Sequence, residues 1–105
     1  MYTLIQGGKM AEYEIGSLVR SDAGHDKDSF FIIIKEDADY VYLADGKTRR
    51  LGKLKRKRKK HVQSIHDKDE NLQKKLMSGE SVTDEEIKYF IKCWKEKNQG
   101  GKTYV

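Results

Sequence analysis

Phe30-Phe31-Ile32-Ile33-Ile34 is the stretch of sequence that decides the fold. On a β-strand, successive side chains point to opposite faces, so an unbroken apolar run needs cover on both faces of the sheet. We expect a barrel interior to cover one face and a helix from the C-terminal part of the chain to cover the other. The run therefore predicts a mainly β body with an α-helical tail.

Three further strand candidates surround this run and are separated by turns rich in Gly and Asp. Residues 15–21 precede it and end at Asp22-Ala23-Gly24, and residues 40–43 follow it. Asp45-Gly46 then predicts a hairpin that leads into a strand over residues 47–51. Connections this short cannot join parallel strands, which need roughly a dozen residues. We therefore predict that these four strands form a small antiparallel barrel, in which closure removes exposed strand edges.

The pattern becomes helical in the last third of the chain. Asp67-Lys68-Asp69-Glu70 predicts the cap of a short helix that ends at Gly79. Thr83 and Glu86 have the spacing of a capping box for a second helix. Four apolar residues then fall on one face of that helix, at Ile87, Phe90, Ile91 and Trp94. We expect this stripe to pack on the barrel of a monomer, and a homodimer through the C-terminal helix is the alternative.

These patterns divide the chain into four segments. We expect a flexible N-terminus over residues 1–11, a barrel over residues 12–66, a helical tail packed on it over residues 67–98 and a flexible C-terminus over residues 99–105. Met10 is an alternative start to Met1. The chain has one cysteine, Cys93, and no apolar run near the roughly 20 residues of a membrane span. Both features favour a cytoplasmic protein.

The formal net charge of +5 is unevenly distributed. Residues 1–44 contain 4 Lys and Arg against 8 Asp and Glu, and residues 62–105 contain 8 of each kind. Residues 45–61 contain 10 Lys and Arg against the single Asp45. Such a concentration of cations indicates a polyanionic partner, and a solvated run of like charges is the alternative.

The sequence contains no pattern typical of catalysis or metal binding. His25, His61, His66 and Cys93 are the candidate metal ligands, but no two of them have a Cys-x-x-Cys or His-x-x-x-His spacing. The carboxylates between residues 22 and 39 lie in polar turns, where nothing would raise a pKa for acid-base chemistry. We therefore expect a protein that is not an enzyme and has no cofactor.

Residues 16–34, from Gly16 to Ile34, resemble a KOW motif, in which a glycine-bearing loop joins two strands. Residues 40–50 and 57–62 resemble the remainder of one KOW class. That class comprises large-subunit ribosomal proteins of the L14e, L6e and L27e type and short KOW-domain RNA-binding proteins of bacteria. Residues 82–88 are similar to the helical tail of the bacterial members, so that the resemblance covers roughly residues 13–95.

The resemblance implies a five-stranded, antiparallel SH3-like barrel that binds RNA and performs no catalysis. By position, Gly24 is the loop glycine, His25 and Lys27 flank it, and residues 59–61 end the basic run. The sequence departs from the family at His25, where members usually carry Arg, and at Asp28, where a small or basic residue is common.

We predict that RNA is contacted by the basic segment, residues 49–61, and by the Gly24 loop, which joins the first two strands. One residue each from the first and third strands is added to these contacts. The predicted residues are Arg20, Gly24, His25, Lys27, Tyr42, Arg49, Arg50, Lys53, Lys55, Arg56, Lys57, Arg58, Lys59, Lys60 and His61. We expect Arg49 and Arg50 on a strand, and residues 55–60 on the connection to the last strand. The predicted function is that of a ribosomal-protein-like protein that binds ribosomal RNA or another structured RNA.

Three alternatives stay open. The first alternative is a protein-interaction module of a translation or transcription assembly, with the helix stripe or the acidic residues 36–39 as its contact. The second alternative is an electrostatic coat without a preferred nucleic acid. It stays open because only the resemblance, and not the charge, favours RNA over DNA. The aromatic residues Phe30, Phe31, Tyr40 and Tyr42 either pack in the body of the protein or stack on bases.

Overall fold

The computed structural model describes residues 13–98, which form five strands and two helices. The strands are β1 (Ser17–Ser21), β2 (Phe30–Glu36), β3 (Tyr40–Ala44), β4 (Lys55–Arg58) and β5 (Val62–Lys68). The helices are α1 (Glu70–Ser78) and α2 (Asp84–Asn98), and a 3₁₀ turn (Lys59–His61) joins β4 to β5. The predictions for residues 1–11 and 99–105 and for a start at Met10 lie outside the described residues.

The strands form one antiparallel sheet in the order β4-β3-β2-β1-β5. The two strands at its ends, β4 and β5, are consecutive in the chain and are joined only by Lys59–His61. This short connection brings the ends of the sheet together, so that the sheet curls into a barrel-like body. The predicted fold class, a mainly β body of five antiparallel strands followed by a helical tail, is confirmed.

The apolar run of β2 is covered on both faces, as predicted. Phe31 and Ile33 belong to the interior cluster, which also contains Val19, Val41, Leu43 and Val62. Phe30 and Ile32 belong to an outer cluster, which also contains Leu18, Ala44, Leu72, Ile87 and Ile91. Since the last three of these residues come from α1 and α2, the helices cover the outer face of the sheet.

The helix ends follow the predicted caps. The carboxylate of Asp69 accepts hydrogen bonds from the backbone N–H groups of Asn71 and Leu72, and α1 ends at Gly79 with a φ of 81°. Thr83 and Glu86 form the capping box, in which Glu86 N donates to Thr83 Oγ1 at 3.2 Å and Thr83 N donates to Glu86 Oε2 at 3.3 Å. Both predicted helices are therefore confirmed.

The predicted strand over residues 47–51 is wrong, because this segment is an irregular loop. The carboxylate of Asp45 accepts hydrogen bonds from the backbone N–H groups of Lys47 and Arg49, which turns the chain away from β3. Gly46, with a φ of 77°, lies against the first turn of α2, where a Cβ would overlap the backbone of Asp84 and Lys88.

The loop over residues 45–54 is held against α2 by polar and apolar contacts. Leu51 N donates a 2.7 Å hydrogen bond to Asp84 Oδ1. Leu51 and Leu54 are partly buried against the outer cluster. Because of these contacts the chain does not pair with β3 before Lys55, and the strand next to β3 begins later than the sequence pattern indicated.

Candidate nucleic-acid interface

The basic segment divides between two sides of β4. The register places Lys55 opposite Leu43 and Lys57 opposite Val41, whereas Arg56 lies opposite Tyr42 and Arg58 opposite Tyr40. Val41 and Leu43 are fully buried in the barrel interior. Because side chains alternate along a strand, the two lysines share the side of the interior and the two arginines share the outer side. This corrects the expectation that Arg49 and Arg50 are on a strand and that residues 55–60 form a connection.

The lysines of β4 are tied to the Gly24 loop. Lys57 Nζ lies 2.8 Å from Asp26 Oδ1 and donates a 2.7 Å hydrogen bond to the carbonyl oxygen of Ala23. Its side chain is only 10% exposed. Lys55 Nζ lies 3.9 Å from Asp26 Oδ2. Lys57 is therefore neutralised within the protein and is poorly placed to contact a phosphate.

Asp26 is the centre of this connection. Burial works against ionisation of its carboxyl group, but hydrogen bonds from Lys57 and Ser21 outweigh that effect and lower the pKa of Asp26. Gly24, with a φ of 86°, lets the loop fold back over β4, and a Cβ at this position would lie 3.4 Å from Lys57 Nζ. His25 and Lys27 remain exposed on the loop.

The 3₁₀ turn contains one lysine that is held in an ion pair and one that is exposed. Lys59 Nζ lies 2.7 Å from Glu36 Oε2 and 5.5 Å from the centre of the Tyr13 ring. Lys60 is exposed. His61 is half-buried, and its carbonyl oxygen accepts a 2.8 Å hydrogen bond from Asp22 N. Of these three residues, Lys60 is the one that presents its charge to solvent.

The outer side of β3 and β4 combines tyrosine rings with guanidinium groups. Cζ of Arg56 lies 4.2 Å from the centre of the Tyr40 ring, and Cζ of Arg58 lies 5.5 Å from the same centre. Lys35 Nζ lies 6.0 Å from the centre of the Tyr42 ring. Within residues 13–98, no carboxylate forms an ion pair with Arg56, Arg58 or Lys60. We call Tyr40, Tyr42, Arg56 and Arg58, together with the exposed Lys60 of the adjoining 3₁₀ turn, the outer basic face.

Tyr42 is held in place by the turn before β3. Its hydroxyl group donates a 2.9 Å hydrogen bond to Asp37 Oδ2, while Asp37 Oδ1 accepts from the backbone N–H groups of Asp39 and Tyr40. The pKa of Asp37 is lowered, first by the N–H of Tyr40 and then by the Tyr42 hydroxyl. The same hydrogen bond raises the pKa of Tyr42. The Asp37 carboxylate thereby fixes the orientation of the Tyr42 ring.

A second group of predicted residues meets between two loops. His25, Arg49 and Lys55 line a cleft of about 290 Å³ between the Gly24 loop and the loop over residues 45–54. A neighbouring groove of about 680 Å³ runs along α2. Its charged lining consists of Lys47, Lys88, Lys92 and Lys95 against Asp28, Asp45 and Glu96, so that the charges nearly cancel. In the cleft, Arg49 and Lys55 are likewise balanced by Asp26 and Asp45, so that the excess of positive charge is on the outer basic face.

Other predicted residues lie elsewhere. Arg20, on β1, is separated from β4 by β2 and β3 in the sheet, and its Nη2 donates a 2.6 Å hydrogen bond to Gln63 Oε1 on β5. Arg50 and Lys53 are exposed in the loop over residues 45–54, where Lys53 N donates to the carbonyl oxygen of Arg50. The structure does not bring Arg20 into the outer basic face.

The predicted residue set omits Tyr40 and Lys35. Tyr40 is the ring against which both arginines pack, and Lys35 lies over Tyr42. Phe30 and Phe31, the other aromatic candidates, are buried in the core. The sequence signal for this site is the alternating spacing in Tyr40-Val41-Tyr42 and Arg56-Lys57-Arg58. It identifies the tyrosines and arginines as neighbours only when the two segments are known to be paired strands.

No protein-family description and no curated protein matches this chain. In the part of the chain that the structure describes, no cluster of three or more His, Cys, Asp or Glu side chains could hold a metal ion. None of the helices within residues 13–98 is long and apolar enough to cross a membrane.

Proposed function

We propose that this chain is a non-enzymatic, ribosomal-protein-like protein that binds RNA in the cytoplasm through the outer basic face. One observation carries the proposal: Arg56, Arg58 and Lys60 present their charges to solvent, whereas Lys57 and Lys59 between them are neutralised by carboxylates of the protein. A plain solubilising run of charges would not need this separation.

The outer basic face suits contact with a phosphate backbone. Arginine forms paired hydrogen bonds with phosphate oxygens, and Arg56 and Arg58 are both steadied by the Tyr40 ring. Steadying the side chains before binding lowers the conformational entropy that is lost on binding. His25, Arg49 and Lys55 in the cleft provide a second group of contacts from the Gly24 loop and its neighbour.

The choice of RNA over DNA rests on the resemblance of residues 16–34 to a KOW motif. The strand-loop-strand order of that motif is the order of β1, the Gly24 loop and β2. The resemblance favours ribosomal RNA or another structured RNA as the partner. The stripe of Ile87 and Ile91 packs on the sheet, which agrees with a protein that acts as a monomer.

Filter binding of ribosomal RNA at several salt concentrations tests this proposal. The test variant carries Arg56→Gln, Arg58→Gln and Lys60→Gln. The control variant loses the same charge at three exposed lysines of the helices, Lys74→Gln, Lys92→Gln and Lys97→Gln. We expect the test variant to bind at least roughly ten-fold more weakly at low salt than the control. Equal affinities of the two variants would refute the outer basic face as the RNA contact.

Two further outcomes would replace the proposal by an alternative. Equal affinity of the wild-type protein for folded RNA and for duplex DNA would identify an electrostatic coat without a preferred nucleic acid. Protein partners that remain bound in a pull-down after complete nuclease digestion, with no affinity for purified RNA, would identify a protein-interaction module.

A further inference from the structure

We propose that Tyr40 and Arg56 form a stacking platform for an unpaired base of the bound RNA, so that the protein selects single-stranded nucleotides of a folded RNA. This inference rests on the proposed RNA-binding function and adds the kind of nucleotide that the outer basic face accepts.

The first step of the argument is the geometry of the pair. The guanidinium group of Arg56 lies over the ring of Tyr40, with 4.2 Å between Cζ and the ring centre. Arg56 is exposed on β4, at one end of the sheet, and a base would approach the guanidinium from its solvent-facing side. A planar guanidinium stacks on aromatic rings and on nucleobases alike. A base placed on this open side would extend the stack of Tyr40 and Arg56 by one plane.

The second step is that the platform is already rigid. The guanidinium groups of Arg56 and Arg58 both lie near the Tyr40 ring. The backbone of Tyr40 is fixed by pairing with Arg58 on β4 and by the hydrogen bond from its N–H to Asp37. A preformed platform loses little conformational entropy when a base docks on it. A salt-dependent phosphate contact alone would not require such an arrangement.

The third step is the charge around the platform. Arg58 and Lys60 are exposed and form no ion pair with a carboxylate of residues 13–98, and Lys35 lies beside Tyr42. These cations can hold the phosphates on either side of a stacked base. The bases of a duplex are stacked on one another and are not available to a protein surface, so the platform requires an unpaired nucleotide.

The experiment uses two RNA probes and three variants of the full chain. The probes are an oligouridylate that carries one 2-aminopurine, whose fluorescence reports base stacking, and a fully paired RNA duplex of the same length. Arg56→Lys keeps the charge but removes the planar group, and Tyr40→Leu removes the ring. Tyr40→Phe is the matched control, because the Tyr40 hydroxyl makes no hydrogen bond within residues 13–98.

We expect binding of the wild-type protein and of Tyr40→Phe to change the 2-aminopurine fluorescence. Arg56→Lys and Tyr40→Leu should bind the oligouridylate roughly five-fold or more weakly at fixed salt, the effect of losing one stacked base. Because Arg56→Lys keeps the charge, its salt dependence should match that of the wild type, and its loss of affinity should be larger for the oligouridylate than for the duplex.

Arg56→Lys lies on the exposed edge of the sheet and keeps the fold, so it decides the outcome if Tyr40→Leu fails to fold. Wild-type affinity of Arg56→Lys for the oligouridylate, or an unchanged fluorescence on binding, would overturn the stacking platform and leave the proposed RNA-binding function standing. No binding of the wild-type protein to ribosomal RNA or to either probe at low salt would overturn both.

Discussion

The ammonium group of Lys57 lies 2.8 Å from the carboxylate of Asp26, and this ion pair joins the edge strand β4 to the Gly24 loop. The neighbouring Arg56 points to the other side of the strand and lies over Tyr40. Two adjacent cations of one basic run therefore have different tasks, since Lys57 holds the loop and Arg56 faces solvent.

Replacement of Lys57 should reduce stability, whereas replacement of Arg56 should not. Lys57→Met leaves the Asp26 carboxylate, which is only 20% exposed, without its closest cationic partner. We expect a loss of about 1–3 kcal/mol in the free energy of unfolding, measured by urea titration. Arg56→Met, on the exposed side of the same strand, should change this free energy by no more than about 0.5 kcal/mol. The reverse order of the two effects would contradict the division of the basic segment.

The ion pair should also make stability depend on pH. Burial works against ionisation, but hydrogen bonds from Lys57 and Ser21 outweigh it, so the pKa of Asp26 in the folded protein lies below its ordinary value. A lowered pKa stabilises the folded state when the carboxyl group is ionised, and this contribution disappears as the pH falls from the ordinary value through the folded value. The stability difference between the wild type and Asp26→Asn should be full at pH values above the ordinary pKa of an aspartate side chain and should shrink as the pH falls below it. A difference that is constant over this range would show that Asp26 acts without its charge.

Most of the fold follows from local patterns, whereas the division of the basic segment does not. The apolar run of β2 and the capping box of Thr83 and Glu86 depend on side-chain alternation and on neighbouring residues, so both can be predicted from the sequence. The start of β4 depends on Leu51, whose N–H group donates a hydrogen bond to the carboxylate of Asp84. These two residues are 33 positions apart in the sequence. Without that contact the strand cannot be placed, and the side on which each cation lies cannot be assigned. For the same reason Tyr40 is recognised as part of the site only from the pairing of β3 with β4.

The contact between the loop over residues 45–54 and α2 should depend on Gly46. A Cβ at Gly46 would overlap the backbone of Asp84 and Lys88, and the φ of 77° is itself unfavourable for a residue with a side chain. We expect Gly46→Ala to lower the free energy of unfolding by about 2 kcal/mol or more. Gly52→Ala is the matched control in the same loop, because no atom of the described residues lies within 4 Å of a Cβ there. It should change the free energy of unfolding by less than about 1 kcal/mol. Thermal unfolding of both variants by circular dichroism decides between these expectations.

The difference between exposed and ion-paired cations in the basic segment should change the salt dependence of RNA binding. The neighbouring residues Arg58 and Lys59 provide the comparison. Arg58 is exposed and forms no ion pair within residues 13–98, whereas Lys59 lies 2.7 Å from the Glu36 carboxylate. A cation that neutralises a phosphate of single-stranded RNA contributes about 0.7 to the slope of log affinity against log salt concentration. Arg58→Gln should therefore reduce the magnitude of the slope by about 0.7. Lys59→Gln removes the same charge from the chain, but it should leave the slope nearly unchanged because Lys59 already has a partner in the free protein. Equal reductions of the slope by both variants would mean that the Lys59 ion pair opens on binding and that both cations reach the RNA.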